Sequence, residues 1–175
     1  MTTEEIYEMR RTLRGNKAKT TYMVAEVVNL FDRIGVKNYT LTGSAALILQ
    51  GFITYRTPDD IDMTIPIPED AKEREILLKV VDTLTALCPN ESLKAAEYSQ
   101  DSQKGILKVF RTACGVKVNA FLMKREEYMM IPCNNVNGMR TEMVASVLAT
   151  KMGLKRPKDY KDLNKVFSEF SGYGL

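Results

Sequence analysis

Apolar residues recur at helical spacing through the first 34 residues of the chain. Residues 17–34 carry one apolar stripe, which predicts an amphipathic helix that ends at Gly35. Residues 2–14 predict a shorter helix, with a capping box formed by Thr2 and Glu5 in its first turn. Similar patterns later in the chain predict helices over residues 45–50, 69–87, 142–153 and 157–170.

Short segments with the residue pattern of β-strands lie between these helices. They predict strands over residues 39–42, 60–65, 93–99, 106–112 and 116–122, and a brief turn or strand over residues 136–140. Residues 113–115 are short enough to join two of these strands as a hairpin. In the strand over residues 116–122, Val118 and Ala120 would face one side of the sheet and Asn119 the other.

The order of helices and strands predicts one α+β domain, residues 1–175, with a mixed sheet; an α/β arrangement is the alternative. Within it we expect N-terminal helices over residues 2–34, a central core over residues 36–130 and C-terminal helices over residues 141–170. A length of 175 residues is enough to bury a sizeable core in a single domain.

The composition excludes several classes of chemistry. The chain contains no His, which excludes Ser-His-Asp triads, Cys-His pairs and the common zinc sites. Its three Cys are far apart and form no Cys-x-x-Cys motif, so we expect reduced thiols. A net charge of +3 is too small to indicate nucleic-acid binding by itself. Any reaction must therefore use carboxylates, lysines, hydroxyls, backbone groups or a hard metal ion.

No segment of the sequence indicates export or insertion into a membrane. Residues 1–14 are charged and lack the apolar stretch of a signal peptide. No apolar run approaches the roughly 18 residues that a membrane span requires. We therefore expect a cytoplasmic protein without a membrane partner. The apolar run at residues 129–131 is expected in the core, and a homodimer surface is the alternative.

The segment from residue 41 to residue 65 contains the first candidate for chemistry. Gly43-Ser44 follows a predicted strand and precedes a predicted helix, where backbone N–H groups are unpaired and a Gly allows close approach to a ligand. With the helix dipole and the Ser44 hydroxyl, these groups can bind an anion such as phosphate. The alternative is a simple helix N-cap.

A pair of carboxylates follows in the same segment. Asp60 and Asp62 are two residues apart on a predicted strand, so both face one side of the sheet, while Ile61 faces the core. Two such charges repel unless a divalent cation lies between them; the alternative is an edge strand with a solvated acidic face. Together with the Gly43-Ser44 turn, the pair predicts Mg²⁺, or Mn²⁺ in its place, acting on a nucleoside triphosphate (NTP) in nucleotidyl transfer.

A basic cluster surrounds Pro157 near the end of the chain. Its members are Lys151, Lys155, Arg156 and Lys158. The cluster could neutralise a triphosphate or an RNA backbone. The alternative is a cationic helix end, with Asp159 and Asp162 as its partners at the surface.

These motifs resemble, in order, those of the minimal nucleotidyltransferases of the polymerase-β-like superfamily. The matching residues are Gly43-Ser44, Ala46, Gly51, Arg56-Thr57 and Asp60-Ile61-Asp62. The similarity is strongest to the antitoxin and abortive-infection branch, whose C-terminal motif is matched by Lys151, Arg156, Lys158-Asp159 and Asp162. The resemblance spans roughly residues 36–170 and implies a nucleotidyltransferase-like mixed sheet flanked by helices.

The resemblance also implies an activity and a set of site residues. The activity is transfer of a nucleoside monophosphate from an NTP to a hydroxyl of RNA, of a protein or of a small molecule. Asp60 and Asp62 would bind the metal ion. The residues implied to contact the nucleotide are Gly43, Ser44, Arg56, Lys151 and Lys158.

Active members of the superfamily usually carry a third carboxylate on a neighbouring strand. By the order of elements, its position here is Asn119, whose amide oxygen can bind Mg²⁺ but cannot act as a base. Glu97, Glu126 and Glu127 are the substitutes that the sequence leaves open. A catalytically degenerate fold, acting as an antitoxin-like or scaffold binding module, is therefore the alternative function, and an RNA-binding domain is a third hypothesis.

Overall fold

A computed structural model describes residues 15–53, 55–90 and 106–171, together with Thr2, Glu4, Glu5 and Glu8. Its helices are α1 (Asn16–Ile34), α2 (Gly43–Leu49), α3 (Ala71–Ala86), α4 (Arg125–Met129), α5 (Val144–Leu154) and α6 (Pro157–Ser171). Its strands are β1 (Thr40–Thr42), β2 (Ile61–Pro66), β3 (Ile106–Arg111), β4 (Lys117–Met123), β5 (Cys133–Val136) and β6 (Met139–Glu142). The strand predicted over residues 93–99, with Glu97, lies outside the described residues, as does most of the helix predicted over residues 2–14.

The N-terminal helical predictions are confirmed where the structure describes them. The Thr2 N–H donates to the Glu5 carboxylate at 2.7 Å and the Glu5 N–H donates to the Thr2 hydroxyl at 3.2 Å, which is the predicted capping box. Helix α1 buries its apolar stripe and ends at Gly35, whose φ of 80° is left-handed. The residues of the stripe that are buried are Met23, Val24, Val27 and Phe31.

The six strands form one sheet in the order β3-β4-β2-β1-β6-β5. Strand β2 pairs antiparallel with β1 and parallel with β4, and β1 pairs parallel with β6. The predicted hairpin is confirmed, because β3 and β4 pair antiparallel across residues 113–115. The chain is therefore an α+β protein with a mixed sheet flanked by helices, as the sequence predicts, and β2 lies in the interior of that sheet.

A second hairpin was not predicted in full. Strands β5 and β6 pair antiparallel around Asn137-Gly138, two residues with positive φ, which is the usual chemistry of a two-residue hairpin turn. The prediction of a turn or strand over residues 136–140 captures only this turn. The helix predicted from Glu142 begins at Val144 instead, because Glu142 pairs with Cys133 in the sheet. Both strands are short, and β5 is too polar for a clear alternating pattern.

One hydrophobic core lies between the sheet and the helices. Ile61, Val118 and Ala120 are fully buried in it, as their alternation along the predicted strands indicates. The predicted core position of residues 129–131 is wrong: Met129 and Met130 are exposed, Met130 by 81%, and Ile131 is half-buried. Tyr128 is the residue of the five-residue helix α4 that enters the interior, so the residues after it point outward.

Two further properties concern the surface and the thiols. Cys88, Cys114 and Cys133 are half-buried and form no disulfide with one another, as expected for reduced thiols. Among the described helices, none combines the length and the apolar character needed to cross a membrane.

Candidate functional site

Asp60 and Asp62 lie at the beginning of the interior strand β2. Asp62 is the second residue of the strand and is half-buried, and Asp60 precedes the strand by one residue. Because β2 is flanked by β1 and β4, the interpretation of this pair as a solvated edge strand is wrong. The Nζ of Lys117 lies 4.0 Å from Oδ2 of Asp60. The acidic pair is therefore partly enclosed, and the charge of Lys117 lies close to it.

Asn119 lies directly beside Asp62 on the parallel neighbour β4. Its side-chain amide donates a hydrogen bond of 2.8 Å to Oδ1 of Asp62. Burial raises the pKa of Asp62 to about 6 and the nearby charge of Asp60 adds to the rise, while the Asn119 hydrogen bond, Lys158 and Arg156 oppose it. A bound cation would relieve the repulsion between Asp60 and Asp62, which is the second cause of the raised pKa after burial.

The structure excludes two of the substitutes for a third carboxylate. Glu126 and Glu127 follow the last residue of β4, Met123, which pairs with Pro66 at the far end of β2. Asp62 is four residues from Pro66, a distance of roughly 13 Å along a strand. Within the described part of the chain, no group of three His, Cys, Asp or Glu side chains comes together as a metal site. Asn119 is thus the polar side chain that the sheet places at this position.

Gly43 brings the turn after β1 against the carboxylate of Asp62. Its φ of +67° lies in the left-handed region that L-residues rarely adopt. A Cβ built on Gly43 would lie 3.1 Å from Cγ of Asp62 and would overlap its Oδ2. The helix that starts at Gly43, α2, has only seven residues, so a helix dipole contributes less to an anion site here than the sequence suggested.

Two cations meet at the hydroxyl of Ser44. Nη2 of Arg56 donates to Ser44 Oγ at 3.0 Å, and Nζ of Lys151 donates to the same oxygen at 3.1 Å. Because Ser44 is the acceptor in both contacts, its own O–H can still donate to a ligand. The structure therefore brings together three predicted nucleotide contacts that are far apart in the sequence.

Asp159 and Asp162 hold these cations from the interior of the protein. Both carboxylates are fully buried, so the interpretation of them as surface partners is wrong. Nζ of Lys151 lies 3.2 Å from Asp159 Oδ1 and 2.9 Å from Asp162 Oδ2. Arg56 donates to both oxygens of Asp162, from Nε at 3.1 Å and from Nη2 at 2.6 Å. Two-point contacts of this kind fix the plane of the guanidinium group.

Two more residues complete this network. The Tyr55 hydroxyl donates to Asp162. Arg156 donates to Asp159 Oδ2 at 2.6 Å from Nε, and its backbone N–H donates to the same oxygen at 3.2 Å, as at a helix N-terminus. Lys151, Arg56 and Arg156 carry three positive charges against the two carboxylates, so the network as a whole has a net positive charge. No sequence pattern pointed to Tyr55.

The network sets the ionisation of its two carboxylates. Burial by itself raises the pKa of Asp162, but hydrogen bonds from Arg56, Tyr55 and Lys151 outweigh it, so the pKa lies below the ordinary value of 3.8. For Asp159, burial is likewise outweighed by the hydrogen bond and charge of Arg156 and by Lys151, and the pKa is lowered. Both groups are therefore ionised at neutral pH.

Lys158 connects the basic C-terminal segment to the acidic end of β2. Its Nζ lies 3.5 Å from Oδ2 of Asp59, and both side chains are exposed. Lys158 and Arg156 are also close enough to lower the pKa of Asp62. The positive and negative groups that the sequence places about a hundred residues apart are thus neighbours in the fold.

The carboxylates of Asp60 and Asp62 and the amide oxygen of Asn119 are oxygen ligands of the kind that a hard divalent cation prefers. Mg²⁺ is usually held by one or two carboxylates and keeps several waters or takes oxygens from substrate phosphates. The like charges of Asp60 and Asp62 and the raised pKa of Asp62 fit that requirement. These residues do not form a closed cage, so an ion held here would have to share its remaining positions with water or phosphate.

The chain was compared with protein-family models, curated protein sequences and solved structures. No family model and no curated protein sequence matches the chain. One solved structure, that of an antigenic nucleotidyltransferase-like protein from Paracoccidioides brasiliensis, is similar with a TM-score of 0.38 and 17% identity, covering 85% of this chain and 73% of that chain. A match at this level carries no argument about the fold or activity of this chain.

Proposed function

We propose that this protein is a Mg²⁺-dependent nucleotidyltransferase, which transfers a nucleoside monophosphate from an NTP to a hydroxyl acceptor. The observation that carries the proposal is the contact between Gly43 and Asp62, where a glycine turn leaves no space for a Cβ beside a carboxylate. The turn at Gly43, which can approach a phosphate closely, is therefore in contact with Asp62, a carboxylate that can bind a cation. Nucleotidyl transfer requires both features at the same triphosphate.

Each residue of the site has a role in this proposal. Asp60 and Asp62 would hold Mg²⁺, or Mn²⁺, which when bound supplies positive charge at the phosphates. The turn at Gly43 and the Ser44 hydroxyl would donate hydrogen bonds to the triphosphate. The acceptor hydroxyl forms a new bond to the α-phosphorus and loses its proton to solvent, the bond to the bridging oxygen breaks, and pyrophosphate leaves with the electron pair.

The cations of the site differ in how they would act. The Lys151 side chain is only 4% exposed and is paired with two buried carboxylates, so it would position Ser44 rather than reach a ligand. Arg56 is more open and would contact phosphate beside Ser44. Lys158 is exposed and held by a single exposed carboxylate, so it can turn towards phosphates or towards an acceptor.

The test is transfer of label from an α-labelled NTP. Purified protein is incubated with Mg²⁺ or Mn²⁺, each NTP in turn, and RNA or protein acceptors. We expect label to be incorporated by the wild type and by Asp82→Asn, whose carboxylate is exposed on α3, and not by Asp60→Asn or Asp62→Asn. If the wild type neither incorporates label nor binds NTP in a metal-dependent way, the proposal is excluded.

A second candidate is a catalytically degenerate protein that binds a partner, as an antitoxin or a scaffold. The observation in its favour is Asn119, whose amide donates to Asp62 where a third carboxylate would otherwise lie. Such a protein would bind NTP without turnover, or not at all. It would form a partner complex that survives the double change Asp60→Ala and Asp62→Ala, whereas a partner that is a substrate of the enzyme would no longer be labelled by that variant.

A further inference from the structure

A cavity of about 610 Å³ lies at the end of the central strands that is opposite the carboxylate pair. Its lining includes Tyr39, just before β1, and Pro66, the last residue of β2. In the antiparallel pairing of these strands, Thr40 lies opposite Thr64 and Thr42 opposite Asp62, so the two sites occupy opposite ends of one ladder. The cavity is therefore separate from the proposed nucleotide site.

A large part of the cavity wall is apolar or aromatic. Helix α1 contributes Val24, Ala25 and Val28, and α4 contributes Tyr128 and Met129. The hydroxyl of Tyr128 accepts a hydrogen bond of 3.0 Å from the buried side chain of Thr40, which holds the ring in place. A preformed cleft of a few hundred Å³ with such a lining is typical of small-molecule sites.

The charged residues of the lining are all cations. They are Lys37, Arg125 and Arg140, and no Asp or Glu occurs among the described residues that line the cavity. Lys37 and Arg125 are exposed at the surface. An anion entering from solvent would meet positive charge from three separate segments of the chain and no carboxylate along the wall.

No carboxylate forms an ion pair with Arg140 in the described part of the chain. Its guanidinium lies 4.6 Å from the ring centroid of Tyr128, and Nη2 donates to the carbonyl oxygens of Tyr128 at 3.0 Å and Ile131 at 3.3 Å. Its Nε is buried and has no hydrogen-bond partner in the described part of the chain. The group is thus fixed in place by neutral acceptors, and its positive charge is not neutralised by them.

We propose that this cavity binds a small organic anion that has an aromatic or apolar body, independently of the nucleotide. The body would contact the α1 wall and Met129, and the anionic group would lie near Lys37, Arg125 and Arg140. A carboxylate, a sulfonate and a phosphate monoester share this chemistry. The proposal does not depend on nucleotidyl transfer, so it stands or fails separately from the proposed function.

The experiment uses two fluorescent probes that differ in charge. The anion 1-anilinonaphthalene-8-sulfonate is titrated into the full chain beside the neutral N-phenyl-1-naphthylamine, which lacks the sulfonate. We expect Lys37→Gln and Arg125→Gln each to weaken binding of the anion by about 2- to 5-fold, the range for single exposed charges, with no change for the neutral probe. Lys72→Gln, an exposed lysine of α3 outside the cavity, is the matched control and should change neither.

Two further variants locate the bound probe. Ala25→Phe fills the cavity from a half-buried position of α1 and should abolish binding of both probes. Met130→Gln removes an exposed apolar side chain outside the cavity and should leave binding unchanged. Excess inorganic triphosphate with Mg²⁺, which has no aromatic or apolar body, should not displace the anion.

Several results would overturn the inference. One is that the anion does not bind, and another is that Lys72→Gln weakens its binding as much as Lys37→Gln and Arg125→Gln do. The others are that Met130→Gln abolishes binding while Ala25→Phe does not, and that inorganic triphosphate with Mg²⁺ displaces the anion. Circular dichroism of each variant confirms that it is folded. The two exposed glutamine variants keep the inference testable if Ala25→Phe does not fold.

Discussion

The Nζ of Lys151 lies 2.9 Å from Oδ2 of Asp162, and the carboxylate of this pair is wholly buried. Lys151 is on α5 and Asp162 on α6, and the same Nζ reaches the Ser44 hydroxyl at the start of α2. This ion pair therefore joins the C-terminal helices to the turn at which we propose that triphosphate binds. A buried charge without its partner is strongly destabilising, which makes the pair a point where stability and site geometry can be tested together.

Asp162→Asn should destabilise the protein severely. The change leaves Arg56 and Lys151 close together with one carboxylate fewer, and removal of one partner from a buried pair costs about 3 kcal/mol or more. Urea denaturation measures the loss. Asp82→Asn is the matched control, because Asp82 pairs with Lys108 at 2.7 Å but is 59% exposed, and it should cost less than about 1 kcal/mol. Equal losses for the two variants would contradict the role given to the buried network.

The network should also make stability depend on pH in the acid range. The pKa values of Asp159 and Asp162 are lowered in the folded protein, so the unfolded chain takes up protons first as the pH falls. Their stabilisation is complete well above the ordinary pKa of 3.8 and is lost as the pH falls through that value towards the lowered ones. Unfolding free energies measured from about pH 6 to about pH 3 should fall more steeply for the wild type than for Asp162→Asn. Parallel curves would show that Asp162 does not contribute.

Gly43→Ala should lower the free energy of unfolding by more than the left-handed backbone conformation alone would. A left-handed φ at a non-glycine residue costs about 1–2 kcal/mol, and at Gly43 the new Cβ also overlaps the Asp62 carboxylate. Gly51→Ala is the matched control: its φ is also positive, at +86°, but nothing lies within 4 Å of its Cβ position. Denaturation of both variants separates the two causes. NTP binding should be weakened by the first change only, and a similar loss of binding in both would speak against close approach at Gly43.

Asn119→Asp should make folding depend on divalent metal. A third carboxylate beside Asp62 adds repulsion and removes the amide donor, which we expect to cost about 1–3 kcal/mol without metal. Mg²⁺ that binds only the folded protein adds about 2.7 kcal/mol at a hundred times its dissociation constant. Thermal unfolding with and without Mg²⁺ measures both effects. Asn135→Asp, which adds a charge on exposed β5, should show neither. A metal response no larger than that of Asn135→Asp would argue against a cation site at Asp62.

Local sequence patterns were sufficient to predict most helices, and also the strands whose apolar and polar residues clearly alternate. Helix α1 has a continuous apolar stripe and is followed by Gly35, and no strand pattern competes with it. In β4, buried and half-buried residues alternate over the full length of the strand. The β5–β6 hairpin was predicted only at its turn, because its strands are short and are stabilised by pairing with other strands, β6 with β1 and β5 with β6. The outward position of Met130 was missed for a related reason, since helix α4 is too short to show which of its faces is buried.

The sequence by itself determined the candidate residues of the site. Gly43, Ser44, Asp60 and Asp62 are close in the chain, and their chemistry follows from residue type and from the period of a strand. Only the tertiary structure decided that Asp162 is a buried anion rather than a surface partner, and that Asn119 donates to Asp62. Burial and pairing between distant residues depend on how helices and strands pack, and local periodicity contains no information about that packing.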